Sequence, residues 1–255
     1  MDRAYVLHSY PYRETSLILQ MWTEKHGRMG LVAKGARRPR SPARSVLVPF
    51  QPLVVSWFGR GELRTLKSAE PDGAATPLGG QGLMSAFYLN ELLLKLTHRD
   101  DPHEKLFAAY DEAIGALRAI SRDKAAVATI EPVLRRFELT LLQEVGYAVE
   151  LAREAGSRMP IAAEREYWYV VERGPVPAGE GEPPPDTVRL RGLTLIDLER
   201  GRFEDAATVA QAKQLMRLLI NHSLDGQELT TRALVREMRT TLNPGPSAKE
   251  EGSSR

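Results

Sequence analysis

The first 70 residues follow the two-residue period of β-strands, in which successive side chains point to opposite faces. Five short apolar segments of this kind lie between turns, at residues 4–9, 17–22, 28–34, 53–58 and 62–67. Gly59-Arg60-Gly61 separates the last two and is typical of a tight hairpin. No helical period is evident among them, so this part of the chain is predicted to form a small closed β-barrel.

After Gly79 and Gly80 the apolar residues recur at the three- and four-residue spacing of helices. This spacing predicts helices up to His98, from about 101 to 117 and from about 130 to 145. Asp101-Pro102-His103-Glu104 is interpreted as the start of the second helix, with Asp101 as its cap and Pro102 at its first position. Gly146 is the predicted stop of the third. Two further helices are predicted at 206–223 and 231–241.

The helical period is lost between residues 165 and 203. Residues 167–172 are predicted as a strand, 174–185 as a Pro- and Gly-rich loop, and 188–190 and 193–198 as short strands or irregular structure. The predicted fold class is therefore α+β. A five-stranded barrel of the OB type occupies 1–78, and a mainly helical domain occupies 79–242 with an irregular or β insertion at 150–203. The polar residues 243–255 are predicted to be a disordered tail.

Composition narrows the functional class. The chain has 255 residues, 42% of them hydrophobic, and no cysteine, which excludes disulfides, a cysteine nucleophile and thiolate metal sites. No uninterrupted apolar run reaches the roughly 18 residues of a membrane helix, and the N-terminus does not have the pattern of a signal peptide. A cytoplasmic protein without a membrane association is expected.

Charge is distributed unevenly along the chain. Residues 1–70 hold twelve Lys or Arg against five Asp or Glu, whereas the whole chain has a net charge of +2. Residues 27–44 contain six cations and no acid, and Pro39 and Pro42 predict a mobile loop that is not helical in its second half. Such a segment indicates a polyanion site, with these candidate phosphate contacts: Arg28, Lys34, Arg37, Arg38, Arg40 and Arg44.

Aromatic residues near this segment could stack on nucleic-acid bases. Trp22 and Phe58 are interpreted as barrel core rather than as base platforms. Tyr10 and Tyr12 flank Pro11 and are left open between the two roles. A solvated basic loop with no ligand is the alternative interpretation of the cations.

The sequence offers no recognisable catalytic machinery. The phosphate-binding Gly-x-x-x-x-Gly-Lys-Ser/Thr pattern and the Gly-x-Ser-x-Gly pattern of serine hydrolases are both absent. The five histidines do not have the spacing of a metal site; His98 and His103 lie across a predicted helix boundary. Neither an enzyme activity nor a metal or cofactor is therefore expected, although an enzyme of unrecognised type stays open.

The helix predicted at 130–145 has a second apolar stripe besides its core stripe. Arg135, Leu139, Leu142 and Val145 have the spacing of a shallow pocket with an arginine at its lip, which could bind an apolar side chain and a carboxylate of a partner peptide. The alternative is a helix buried on a wide face, with Arg135 in an internal ion pair. On the residues alone, that alternative is favoured.

Several motifs resemble those of the bacterial RecO family of recombination mediators, over nearly the whole chain up to about residue 240. The resemblance is carried by residues 4–16, by Gly-Arg-Met-Gly-Leu-Val-Ala-Lys-Gly-Ala-Arg (27–37), by Pro-Phe-Gln-Pro-Leu (49–53), by Tyr-Leu-Asn-Glu-Leu (88–92) and by Leu-Arg-Arg-Phe-Glu-Leu (134–139). Some members of that family carry a four-cysteine zinc module, which this chain cannot have.

The resemblance implies an OB barrel followed by a helical domain. It implies a non-enzymatic DNA repair protein that binds single- and double-stranded DNA, anneals complementary strands and, with RecR, helps to load RecA onto DNA coated by the single-strand-binding protein SSB. It also implies contact with the acidic, Phe-ended tail of SSB, which favours the peptide pocket at Arg135, and a place at the nucleoid in the cytoplasm. An RNA-binding OB-fold regulator or chaperone is the alternative that the barrel and basic segment fit equally well.

Overall fold

The computed structural model describes residues 1–73, 77–122, 129–147, 149–179 and 181–234. The last part of the predicted helix at 231–241 and the predicted tail at 243–255 lie outside these residues. The five predicted N-terminal strands are all present, with these bounds: β1 Asp2–Tyr12, β2 Ser16–Thr23, β3 Gly27–Ala33, β4 Leu53–Phe58 and β5 Leu63–Pro71.

The five strands close into a barrel in the order β1-β2-β3-β5-β4, and β1 pairs with β4 to complete the ring. All neighbours are antiparallel except β3 and β5, which run parallel. This arrangement confirms the predicted OB-type barrel. Its interior is filled by alternate apolar side chains of each strand, among them Val6, Leu19, Met21, Leu31 and Val55.

Strand β1 extends beyond its predicted end and runs through Pro11, which lies opposite Leu17 of β2. Its pairing with β4 covers only Asp2–Ala4, so the later part of β1 has a paired neighbour on one side only. A proline, which has no backbone N–H, is tolerated in such an edge position.

The basic segment after β3 differs from its prediction. Residues 35–41 form successive turns, and a short helix, α1 (Ala43–Val46), follows with Pro42 as its N-cap residue. The expectation of no helix was therefore wrong for Arg44, which lies in α1. A proline interrupts a helix when it lies in the helix interior. At the start of a helix it costs no hydrogen bond, because the first backbone N–H groups have no acceptor within the helix.

The remaining helices are α2 Gly80–Leu96, α3 Glu104–Arg122, α4 Ile130–Glu144, α5 Gly192–Glu199 and α6 Ala206–Ser223. Helix α3 begins at Glu104, with the N–H of Phe107 bonded to the carbonyl of His103, so Pro102 is not its first residue. Gly146 follows α4 with a φ of +90°, which a residue without a Cβ adopts at low cost, and the predicted stop is confirmed.

The insertion contains a three-stranded sheet in the order β7-β6-β8, formed by β6 Glu166–Val170, β7 Gly174–Pro177 and β8 Thr187–Arg191. Two predictions need correction here. The expected loop at 174–185 begins with strand β7, and the segment at 193–198 is helix α5. In α5, Leu195 and Leu198 are buried three residues apart, which a helix achieves and an alternating strand does not.

Side chains on the outside of the barrel belong to the apolar core of the helices, which is separate from the barrel interior. Tyr5, Leu7 and Trp22 point out of the barrel and are buried in the cluster that α2, α3 and α4 form. Asn90 of α2 donates to the backbone carbonyl of Leu7 at 2.9 Å, and the hydroxyl of Tyr5 donates to Asp111 of α3. These polar bonds, which are directional, hold the barrel in one orientation against the helices.

The turn before β3 contacts the segment that joins α2 and α3. Gly27 has a φ of +67°, and a Cβ at this position would lie 1.9 Å from the carbonyl oxygen of Asp101. Only glycine allows this approach, so the predicted turn at His26-Gly27 also has a packing role between the two parts of the molecule.

Candidate nucleic-acid interface

One row of side chains crosses all five strands on the outer face of the barrel. Tyr10 lies opposite Ile18, Ile18 opposite Val32, Val32 beside Thr65, and Thr65 opposite Phe58. Residues paired across strands point to the same side of a sheet. We call these five residues the outer row. Neighbouring strands are about 4.8 Å apart, so the row extends over roughly 19 Å of curved surface.

The outer row has an exposed aromatic ring at each end and apolar atoms between. The exposed fraction is 47% for Tyr10 and 55% for Phe58. The prediction that Phe58 belongs to the core was therefore wrong: Leu53, Val55 and Trp57 alternate into the barrel core, and Phe58, the next residue, points out. Tyr10 also contacts the ring of His8, with 4.3 Å between ring centroids. Bases of a single strand stack on rings exposed in this way.

The helical domain covers the other half of the same face. Trp22 is fully buried, as predicted, but on the outside of the barrel, where its ring stacks on His103 at 6.5 Å between centroids. Arg28, its cross-strand neighbour, donates to the backbone carbonyl of Thr97 at 2.8 Å. The open part of the face is thus limited to the outer row and the strand ends beyond it.

Arg28 is consequently a poor phosphate contact. This finding corrects the prediction that Arg28 binds phosphate together with the other cations of the basic segment. Its side chain is half-buried, and desolvation together with the charge of Arg99 lowers the pKa of its guanidinium. The carbonyl of Arg28 also accepts a bond from the N–H of Asp100 at 2.9 Å. The residue joins β3 to the helical domain, because strand alternation points it at the covered half of the face.

The other five predicted phosphate contacts are exposed: Lys34, Arg37, Arg38, Arg40 and Arg44. Within the described parts of the chain, no carboxylate lies within 4.0 Å of any of them. Lys34 directly follows β3, two residues beyond Val32 of the outer row. The basic segment therefore begins at the edge of the aromatic surface, and its cations are free to pair with an external anion.

Arg37 fixes the basic segment to the turn between β1 and β2. Its N–H donates to the carbonyl of Thr15 at 2.8 Å, and its guanidinium reaches the carbonyls of Arg13 and Glu14 at 3.4 Å. Arg13 has a left-handed φ of 52° and places its guanidinium 5.1 Å from the centre of the Tyr12 ring. Sequence reasoning missed Arg13; its position in the Tyr-Pro-Tyr-Arg run was the available signal.

The predicted peptide pocket on α4 is not open. Arg135 is 5% exposed, and its guanidinium donates to Glu138 at 2.8 Å, one helical turn further on. Leu142 is fully buried, while Leu139 and Val145 are partly buried against the core. The expectation of an arginine at a pocket lip was wrong, and the alternative of an internal ion pair describes the structure.

A buried polar network explains why Arg135 stays inside. Besides Arg135, Glu138 accepts a bond from the hydroxyl of Tyr88 at 2.6 Å, and Arg232 donates to the same hydroxyl at 3.1 Å. Burial raises the pKa of Glu138, although the neighbouring Arg135 acts in the opposite direction. Since an unpaired buried charge is costly, each member of the network holds the others in place.

Among the described residues, no three His, Cys, Asp or Glu side chains come together as metal ligands. None of the helices in the described ranges is long and apolar enough to span a bilayer.

Comparison with known proteins gives a consistent result for both parts of the chain. The family model of the Recombination protein O N terminal matches residues 1–73, and that of the Recombination protein O C terminal matches residues 80–233. The chain is 48% identical over 236 residues to the DNA repair protein RecO of Azoarcus sp. (strain BH72), covering 92% of this chain and 94% of that protein.

Two further relatives have the same name. The DNA repair protein RecO of Nitrosospira multiformis is 47% identical over 92% of this chain and 94% of its own length. That of Aromatoleum aromaticum is 46% identical over 92% of this chain and 95% of its own length. With matches over both the barrel and the helical domain, the chain belongs to the RecO family of DNA repair proteins.

Proposed function

We propose that this chain binds single-stranded DNA through the outer row and the basic segment, and that it acts as a non-enzymatic mediator of strand exchange and annealing. The observation that carries the proposal is the position of two exposed aromatic rings beside five cations without a carboxylate partner in the described structure. Cations follow a phosphate backbone, and rings stack on bases whatever their sequence.

Arg13, Lys34, Arg37, Arg38, Arg40 and Arg44 together supply six exposed cations. If each neutralises one phosphate of a single strand, the logarithm of affinity should fall with the logarithm of salt concentration with a slope of about −4. Titration of a fluorescent oligonucleotide at several salt concentrations measures this slope. A slope near zero would contradict the proposal.

Two strands held by such sequence-independent contacts can sample pairing, and base pairing supplies the driving force, so no nucleotide need be consumed. Double-stranded DNA would use the phosphate contacts without the aromatic ones. The test is annealing of two complementary oligonucleotides with and without the protein. The proposed place of action is the nucleoid in the cytoplasm.

We further propose that the helical domain contacts the acidic, Phe-ended tail of SSB and that RecR is a second partner, so that RecA is loaded onto the DNA that SSB leaves. Recruitment through a tail would raise the local concentration of the basic surface near coated DNA. Contact would begin at Leu139 of α4 and at Val145, the residue after the helix, because both are partly exposed whereas Arg135 and Leu142 are buried. Binding of a fluorescent SSB tail peptide, with and without its last Phe, tests this contact.

An RNA-binding regulator or chaperone is the second candidate, since a stacking row and cations do not distinguish the two polymers. The 2′-hydroxyl of RNA is the group on which discrimination would rest. Competition between DNA and RNA oligonucleotides of equal length and sequence decides between them: preference for RNA would favour the second candidate.

A further inference from the structure

A second row of outward side chains lies beside the outer row, one step closer to the helical domain. Strand pairing gives its members as His8, Gln20, Gly30 and Leu63. Because side chains alternate along a strand, Gln20 shares its face with Ile18 of the outer row and with the covered Trp22, each two positions away. Gln20 therefore stands at the boundary between the open half of the face and the half that the helical domain covers.

The amide of Gln20 is buried without a hydrogen-bond partner. Gln20 is 7% exposed, and its Oε1 atom accepts no hydrogen bond from the described residues. Such an amide lowers stability, because it has given up its bonds to water and gained none in the protein. The buried Gln51 is different, since its amide donates to the backbone carbonyl of Pro52 at 3.0 Å. The unused acceptor of Gln20 is thus left for a ligand that reaches this boundary.

The two central residues of the second row are buried, whereas the two end residues, His8 and Leu63, are exposed. Gly30 has no side chain, and Cδ1 of Leu63 lies 3.3 Å from the place that a Cβ of Gly30 would take. A larger residue at position 30 would push Leu63 away and fill the space next to Gln20. The row therefore has raised ends and a low centre, and the carboxamide of Gln20 belongs to that centre.

We infer that Gln20 forms hydrogen bonds to the edges of unpaired bases and thereby selects single strands over duplex. This role rests on the proposed strand binding by the outer row. Residues two positions apart in a strand are separated by about 7 Å, so the edge of a base that lies on Ile18 comes within reach of Gln20. Lys34 and Arg37 lie on the opposite side of the outer row. Phosphates held there would direct the bases towards Gln20.

The chemistry of a carboxamide suits this role. It presents a donor and an acceptor side by side, and half a turn of the group exchanges them. Every base has a neighbouring donor and acceptor on the edge that it uses in base pairing. The contact is therefore independent of sequence, but a paired base cannot make it because its edge is occupied. When a bound strand finds its complement, the contact to Gln20 is lost, which favours release of the duplex.

The test compares the full chain with its Gln20→Met variant, in which the side chain keeps its length and loses its amide. The variant should bind labelled oligothymidine about fivefold more weakly and labelled duplex equally well. Its thermal midpoint should equal or exceed that of the parent, because an unpartnered buried amide is removed. Gln51→Met is the matched control at a glutamine that has a partner, and it should lose stability and keep the preference for single strands.

An oligonucleotide of N3-methylthymidine provides the complementary change, because it keeps the ring that stacks and loses the N3–H donor. The parent should bind it about fivefold more weakly than oligothymidine, and Gln20→Met should bind the two alike. Equal binding of the two oligonucleotides by the parent would overturn the role of Gln20. So would a lower thermal midpoint of Gln20→Met, which would show that the amide has a partner in the folded chain.

The proposed strand binding fails separately from this role. If Tyr10→Ala weakens oligothymidine binding and Gln20→Met does not, strand binding by the outer row stands and the role of Gln20 is overturned. If the parent does not bind oligothymidine at all, strand binding itself is contradicted, and the role of Gln20 falls with it.

Discussion

Tyr10 and Phe58 stand at opposite ends of one row of outward side chains, with Ile18, Val32 and Thr65 between them. They are separated by 48 positions in the chain and by all five strands of the barrel. The strand order β1-β2-β3-β5-β4 places both rings on the same curved surface. The two rings therefore offer stacking platforms at the two limits of the open face.

Replacing either ring should weaken binding of single-stranded DNA. Tyr10→Ala and Phe58→Ala are each expected to cost about 1–3 kcal/mol if one base stacks on each ring. Both side chains are exposed, so the thermal midpoint should stay the same. Fluorescence anisotropy with an oligothymidine measures the loss. Phe87→Ala, which removes an exposed ring outside the barrel, is the control; an equal loss in that variant would argue against a specific role of the outer row.

Neutralising part of the basic segment should change the salt dependence. In the triple variant Arg37→Gln, Arg38→Gln and Arg40→Gln, three phosphate contacts are lost, so the slope should become shallower by about 2. Binding of the SSB tail peptide should not change. A triple Gln variant at three exposed arginines of the helical domain is the matched control, at Arg173, Arg200 and Arg217. Identical slopes in the two variants would remove the role assigned to the basic segment.

Arg28 should behave differently from the exposed cations. Arg28→Gln removes the charged donor to the carbonyl of Thr97, which is then left without this partner. The expected result is a loss of stability of about 1–3 kcal/mol and an unchanged salt slope. Denaturant unfolding and the salt titration are measured on the same preparation. A shallower slope with full stability would instead return Arg28 to the phosphate contacts.

Arg135→Glu should destabilise the protein rather than act on peptide binding alone. The new carboxylate would face Glu138 and Glu131 in the buried network, and breaking a buried ion pair costs about 3–5 kcal/mol. Arg136→Glu is the control at the adjacent, exposed position. If Arg135→Glu unfolds like the parent protein and loses only the SSB tail peptide, the residue is accessible in solution and the original pocket prediction is correct.

Glu91 should couple stability to acid pH. Partial burial by itself would raise the pKa of this carboxyl, but hydrogen bonds from Thr231 and Thr230 outweigh it and lower the pKa below the usual 4.5. A lowered pKa in the folded state means that the stabilisation is complete at neutral pH and is lost as the pH falls through that lowered value.

The measurement compares Glu91→Gln with the parent protein. The difference between their thermal midpoints should be largest at pH 7 and should shrink towards pH 3, as the parent carboxyl becomes protonated. Glu199→Gln, at an exposed glutamate of α5, should differ little from the parent at either pH. A difference that is independent of pH would mean that the charge of Glu91 does not hold residues 230 and 231.

The sequence by itself determined the five barrel strands and the helices α2, α3, α4 and α6, because local periodicity and turn residues report on strands and helices wherever one face is buried. It determined the barrel, the ends of α4 and the basic segment. It also determined the family, through motifs at 27–37 and 134–139. Helix α5 and strand β7 were predicted wrongly, since segments of four to eight residues have too few turns or alternations to display a period.

Only the tertiary structure decided which candidate residues are accessible. Arg28 and Arg37 are both arginines of one basic segment, yet one is covered by the segment after α2 and the other is exposed. Arg135 turns inward because Glu138 and Tyr88 meet it there. Exposure depends on what packs against a side chain from distant parts of the chain, and local spacing along the sequence does not contain that information.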